Sequence, residues 1–173
     1  KIAQMLIVQG NINNLQVWKD LQVGGIHFFA RETESLFKEQ IARFQEGMRV
    51  PFFVTVDLEG CINPFLNFRN FTAAADVSNQ NQAYLKGVEE GKFLREVGVN
   101  LNFAPVVDLE DQIWNCRSFP GNERQISELA QSYVNGLQSY GILATIKHYP
   151  GKTLVVRDPH KFIVNAHIDE KDL

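Results

Sequence analysis

Two cysteines are all that 173 residues carry, too few for a disulfide framework. The default reading is therefore a reducing compartment and a cytoplasmic location. Cys61 and Cys116 both follow strands expected to be neighbours, which makes proximity plausible, yet inert buried thiols are the expectation. An excess of positive charge is also missing. Seventeen basic residues against 20 acidic ones leave a net charge of −3, so neither nucleic acid nor an anionic membrane is expected as partner. No apolar run approaches the ~20 residues that span a bilayer. The opening Lys1-Ile-Ala-Gln-Met5 has no signal-peptide architecture and no initiator Met, so residues upstream of Lys1 are expected. Low-complexity stretches, linkers and tandem repeats are absent too, and residues 1–173 read as a single domain.

What is present is an alternation of two periodicities. Short apolar runs rich in β-branched and aromatic residues predict parallel strands at Met5–Val8, Gly25–Phe29, Phe52–Val56, Leu101–Val107 and Ile142–Ile146. Between them, apolar residues at helical spacing predict helices at Thr33–Met48, Ser78–Val97 and Asn122–Tyr140, with a shorter one near Asn11–Asp20. Thr33 is the expected N-cap of the first, Gly98 the C-cap of the second, and Gly141 closes the third. Tyr84 and Val88 are among the residues expected to face the core. Alternating strands and helices imply an α/β fold with a parallel sheet and right-handed crossovers.

The chemistry gathers where the strands end. Arg31 follows the second strand, Asp57 and Glu59 the third, Asp108 the fourth, Lys147 and His148 the fifth. Polar groups just past strand C-termini mark the active face of α/β folds. The long loops Gly60–Val77 and Lys152–His167 leave the same ends. In the second, Asp158-Pro159-His160 puts a carboxylate two residues from an imidazole. In extended chain such residues point the same way, and Pro159 favours that geometry. An Asp holding a His makes a proton carrier near neutral pH. Asp57 and Glu59 also fit a paired-carboxylate site, with Glu59 the more structural of the two. His148, Asp158, His160 and His167 fit no compact zinc spacing, so no metal and no cofactor are expected. His27, inside a strand, reads as a core or barrel-interior residue. Phe65, Phe68 and Phe71 either line a ligand subsite or pack under their loop, and Trp114 is the better stacking candidate.

Five motifs in order carry a resemblance. They are Gly24-Gly25-Ile26 with Phe28-Phe29-Ala30-Arg31; Val56-Asp57-Leu58-Glu59-Gly60; Gly98-Val-Asn-Leu-Asn-Phe-Ala-Pro-Val-Val-Asp108 with Arg117-Ser118-Phe119; Lys147-His148-Tyr149-Pro150-Gly151; and Asp158 with His160. Together, and with Lys1 to Met5 resembling the opening strand, they resemble the N-terminal (β/α)8 domain of glycoside hydrolase family 3. The likeness is to its β-N-acetylglucosaminidase branch, which acts on amino sugars in cell-wall recycling. The resemblance implies a partial (β/α)8 TIM barrel of about five strands and four helices, because a complete one takes about 250 residues. It implies a retaining glycosidase acting on O-glycosyl bonds. Asp57, Arg117, Lys147 and His148 would bind substrate hydroxyls, and His160 would be the acid/base, oriented by Asp158. The nucleophilic Asp of such a mechanism would lie on a strand beyond residue 173. Cys61-Ile62-Asn63 replaces the family's Gly-Arg-Val, and Lys152-Thr153 replaces a His-Gly. Those departures motivate an alternative: an inactive sugar-binding or interaction half-barrel that dimerises, or one that meets a missing C-terminal half. An amino sugar or oligosaccharide is the expected partner in either case.

Overall fold

The computed structural model describes residues 2–109, 113–149, 151 and 156–165. Five parallel strands form one sheet in the order β1-β2-β3-β4-β5. They are β1 (Ile7–Gln9), β2 (Gly25–His27), β3 (Phe53–Val56), β4 (Leu101–Asn102) and β5 (Leu143–Ala144). Four helices alternate with them: α1 (Leu15–Leu21), α2 (Glu34–Gln45), α3 (Gln80–Val97) and α4 (Glu123–Gln138). The expected α/β class and strand sequence stand, and each strand neighbours the one before it, as a barrel wall requires.

The helix ends follow local chemistry. The Thr33 side chain accepts from Leu36 N at 3.2 Å, Asn79 does the same for Gln82 N at 3.0 Å, and Asn122 forms a capping box with Gln125. Each satisfies backbone donors that the first helical turn leaves open. Gly98 closes α3 at φ +89°, a backbone angle that suits glycine. Helix α4 stops at Gln138, with Ser139 rather than Gly141 as its cap residue.

The strands are shorter than the apolar runs. Met5 and Leu6 read as strand, yet Ala3–Met5 is a 3₁₀ turn. Its chain lies against Gly24, whose N–H bonds Ala3 O and Leu6 O, and the Met5 side chain is exposed. At β4 the regular ladder ends with Asn102. Pro105 has no N–H to donate, and Val106 makes isolated bridges to Lys147 and Ser118.

Helices cover one face of the sheet. Ile26, Val54, Val56 and Asn102 point into that side and are fully buried. Register places Ile7, Gly25 and Phe53 side by side on the other face, with His27, Thr55, Leu101 and Leu143 on the same side. There Ile7, Phe53 and Leu143 are 41%, 45% and 47% exposed. Strands β1 and β5 are the edges.

Helices α3 and α4 cross closely. A Cβ on Gly87 would lie 2.2 Å from Tyr133 O, and one on Gly136 would lie 2.2 Å from Tyr84 O. The crossing brings polar groups together out of water. Glu90 and Lys86 form a buried ion pair, Lys86 Nζ also donates to Thr72 O at 2.8 Å, and Tyr133 OH donates to Glu90 Oε2 at 2.6 Å. Burial pushes the Glu90 carboxyl above its ordinary range, against the pull of Lys86. It also raises the Tyr133 phenol well above its ordinary value, and Glu90 adds to the rise. Tyr84 faces outward and is 41% exposed, a correction to the core expected from helical spacing. The glycine crossing leaves its backbone, not its ring, at the interface.

Candidate functional site

The site grows out of register. His27 pairs with Thr55, and Thr55 pairs with Leu101, which pairs with Leu143. Stepping two residues past Thr55 reaches Asp57, and four past Leu143 reaches Lys147, so both rise from the sheet face that the helices leave open. Lys147 Nζ lies 2.6 Å from Asp57 Oδ1 and 2.5 Å from Glu59 Oε1. Glu59 Oε1 also faces Arg117 Nη1 at 3.6 Å. One ammonium and one guanidinium thus converge on two carboxylates. Asp57 is the accessible member, its side chain 37% exposed against 2% for Glu59. That division matches the structural part expected of Glu59.

Backbone clamps hold the carboxylates in place. Asn102 Oδ1 accepts from Leu58 N, and its Nδ2 donates to Leu58 O, both at 2.9 Å. Leu58 sits between Asp57 and Glu59, so their Cα positions are fixed from β4. Asn102 Nδ2 also reaches Tyr133 OH at 3.1 Å, which joins the helical polar cluster to the strand tips.

His27 is a barrel-interior residue, as expected, but it also touches the site. Its Nδ1 pairs with Thr55 Oγ1 at 2.9 Å, and Nε2 lies 3.4 Å from Asp57 Oδ2. Burial holds the imidazole below its ordinary value, Asp57 opposes this, and Lys147 adds to it. The sequence placed His27 inside a strand but carried no register, and it is the pairing with Thr55, two residues before Asp57, that makes this contact. A second His–carboxylate pair was not anticipated either. His148 Nδ1 lies 2.6 Å from Asp108 Oδ2, and the Asp108 side chain is buried. That engagement leaves Nε2 as the nitrogen able to meet a ligand.

Asp158 and His160 do pair. His160 Nδ1 is 2.8 Å and its backbone N 2.9 Å from Asp158 Oδ1. The backbone here is a turn rather than the extended segment expected. Lys161 N and Phe162 N both bond Asp158 O, so the Asp side chain caps the turn through the His160 N–H. That backbone bond is the main reason the Asp158 carboxyl titrates below its ordinary value, partly offset by desolvation. The His160 ring meets Trp114 edge-on at 5.4 Å, and the Arg117 guanidinium lies over Trp114 at 4.7 Å. Trp114 therefore links the Asp158–His160 pair to the cluster of Asp57, Glu59, Arg117 and Lys147.

Other expectations fall outside this centre. Arg31 donates to Gly10 O, Phe29 O, Ala30 O and Gln40 Oε1, tying β1 and β2 to α2. Phe65 is fully buried against Phe37 and Phe93, so it packs and lines no subsite. The expectation of buried thiols is corrected: Cys61 and Cys116 form a disulfide with Cα atoms 6.0 Å apart. Cys61 is exposed, because it sits in the turn closed by Glu59 N and Ile62 O. The bond removes the ground on which a reducing compartment was expected. Pro150, Lys152, Thr153 and His167 lie outside the described residues. Among the described residues, no group of three or more His, Cys, Asp or Glu is placed to hold a metal ion.

The profile of the Glycosyl hydrolase family 3 N terminal domain matches residues 1–173. The chain belongs to glycoside hydrolase family 3. A beta-hexosaminidase of Thioalkalivibrio sulfidiphilus is 33% identical over 155 residues, covering 80% of this chain and 45% of its own length. Among solved structures, a family 3 beta-N-acetylglucosaminidase from Paenibacillus superposes with TM-score 0.80 at 25% identity, covering 92% of this chain and 34% of that one. A family 3 glycosyl hydrolase from Mycobacterium smegmatis gives TM-score 0.77 at 26% identity, covering 92% of this chain and 52% of that one. The family 3 chain thus spans between a quarter and a half of the length of the first curated relatives it matches. Among the described residues, five strands and four helices make it an α/β member with part of the barrel wall. Among the described residues, no helix is long and apolar enough to cross a membrane.

Proposed function

We propose that this family 3 chain supplies the sugar-binding and proton-transfer side of a retaining β-N-acetylglucosaminidase, as a single domain over residues 1–173. The observation that carries the reading is the convergence of Lys147 on Asp57 and Glu59, with Arg117 completing the cluster and Trp114 leading to His160. Vicinal sugar hydroxyls need acceptors and charged donors at fixed separation, and Asp57, Arg117, Lys147 and His148 offer both. His160 would give its proton to the leaving oxygen and later take one from water, with Asp158 holding the ring through Nδ1. A retaining mechanism also needs a carboxylate nucleophile on the opposite face of the sugar, which we assign to an Asp outside this sequence. The Thioalkalivibrio relative is named a beta-hexosaminidase and the Paenibacillus structure a beta-N-acetylglucosaminidase, which supports an amino sugar as substrate. The test is release of chromophore from an aryl N-acetyl-β-glucosaminide. A full-length, folded protein that releases nothing, and for which His160→Ala changes nothing, refutes the reading.

A second reading rests on the open sheet face. Exposed Ile7, Phe53 and Leu143, together with the edge strands β1 and β5, favour a half-barrel that binds sugar without turnover and pairs with a second copy. Calorimetry with N-acetylglucosamine separates the two: heat abolished by Asp57→Ala, without turnover, favours the inactive binder. A monodisperse monomer by light scattering removes the pairing. Cytoplasmic placement carries over as an expectation from cysteine usage, and the Cys61–Cys116 bond argues against it. Acid-quenched thiol trapping in the source cells decides.

A further inference from the structure

The turn after β3 and the 3₁₀ turn Asn115–Arg117 are fastened to each other twice. Inside, Glu59 faces Arg117 at 3.6 Å, and both side chains are nearly inaccessible. Outside, the exposed Cys61 is bonded to Cys116. Cys61 stands two residues after Glu59, and Cys116 immediately precedes Arg117. The intervening Gly60 is wedged against the chain, where a Cβ would lie 2.3 Å from Thr72 O. The first turn therefore has a fixed seat, and the disulfide transmits that seat to the residue next to the guanidinium. Arg117 in turn lies over Trp114. Cys61 belongs to the same tripeptide, Cys61-Ile62-Asn63, in which the chain departs from the family pattern.

We propose that the Cys61–Cys116 disulfide is a positioning device for the Arg117 guanidinium. It holds Arg117 between Glu59 and Trp114 in the geometry that receives an amino sugar. The assignment of a ligand to Arg117 rests on the function proposed above; the clamp does not. The Glu59–Arg117 pair is an ion pair of 3.6 Å, and the covalent link adds a restraint on the backbone of the residue immediately before Arg117. Opening the bond with a dithiol transfers two electrons and two protons to Cys61 and Cys116, and the dithiol closes to its cyclic disulfide. The turn bearing Arg117 then keeps its neighbours but loses its fixed distance from Glu59.

The test uses the chain in a Trp18→Phe background, where Trp114 is the remaining indole. Intact mass after alkylation reports the thiol count, and far-UV circular dichroism confirms that the reduced protein stays folded. Reduction is expected to shift Trp114 emission and to weaken N-acetylglucosamine binding about tenfold, the equivalent of ~1.4 kcal/mol. Neither change should occur on reducing an Arg117→Ala variant. The Cys61→Ser/Cys116→Ser variant should reproduce the reduced state without thiol. Emission that ignores reduction overturns the clamp, and so does an equal response in Arg117→Ala. An Arg117-dependent emission response with no sugar binding in either redox state leaves the clamp standing and refutes the proposed function.

Discussion

Replacing Tyr133 by Phe removes one oxygen from the place where the helices and the strand tips share a polar network. The phenol donates to Glu90 Oε2 at 2.6 Å and receives Asn102 Nδ2 at 3.1 Å. The ring is buried, and so is the carboxylate. The packing of the ring survives, so the loss is polar. A hydrogen bond to a charged group contributes about 1.5–3 kcal/mol, and a buried partner left unmet adds its own desolvation cost. We expect Tyr133→Phe to lower unfolding stability by about 2–3 kcal/mol. For a domain of this size that moves the melting temperature down by about 5–10 °C. The pH dependence gives a sharper reading. Burial already holds Glu90 above its ordinary value of 4.5, and the Tyr133 hydrogen bond pulls it back. A carboxyl raised in the folded state contributes stability that is fully present below its unfolded value and is lost as pH rises through the folded value. Loss of the phenol would raise the folded value further, so the variant loses more than wild type as pH rises. Urea unfolding followed by circular dichroism at about pH 5 and about pH 8 should therefore show a deficit that grows with pH. A deficit under about 0.5 kcal/mol at the higher pH, or one that stays level across the range, refutes this account of the network.

Lys147→Met leaves buried Glu59 and half-exposed Asp57 facing each other without their ammonium, and breaking a buried pair costs about 3–5 kcal/mol; chemical unfolding should show it, with Lys147→Arg losing less. In Asp158 the depressed titration is due first to the His160 backbone N–H, so carboxyl NMR on His160→Ala should still give a midpoint below the ordinary 3.8. The stability Asp158 contributes is present above that ordinary value and declines as pH falls through the lower folded one; a midpoint restored to normal in His160→Ala would transfer the cause to the ring. Gly87→Ala puts a methyl 2.2 Å from Tyr133 O and should destabilise by at least about 1–3 kcal/mol, the usual cost of overpacking, whereas Gly47→Ala, with open space around its Cβ position, should lack this steric cost even though its positive φ still disfavours alanine.

Periodicity gave the element types and their order, because buried parallel strands and amphipathic helices leave different spacings. Caps such as Thr33 and Gly98 were readable since they act within a single turn. Boundaries were less so. Met5 and Leu6 are apolar but lie outside the sheet, where contact with Gly24 rather than side-chain pattern decides the backbone. The Asp158–His160 pairing was legible and its turn geometry was not, because capping by the Asp side chain depends on where the chain goes after Pro159. The buried pair Lys86 and Glu90 left no periodic trace: charged positions on an amphipathic helix read as surface until two glycines let a second helix close over them. The disulfide was undervalued for a related reason. A count of two cysteines carries no information on distance, and the turn that holds Cys61 is set by hydrogen bonds, not by composition.

Because Cys61 and Cys116 are joined across 55 positions of sequence, the backbone between them is a ring that contains all of α3. A protease that nicks the exposed stretch near Leu66 would cut the main chain without releasing a fragment. On a denaturing gel the nicked molecule would run undivided until a thiol was added, and would then separate into two pieces. Surface damage in that loop is thus hidden from size alone.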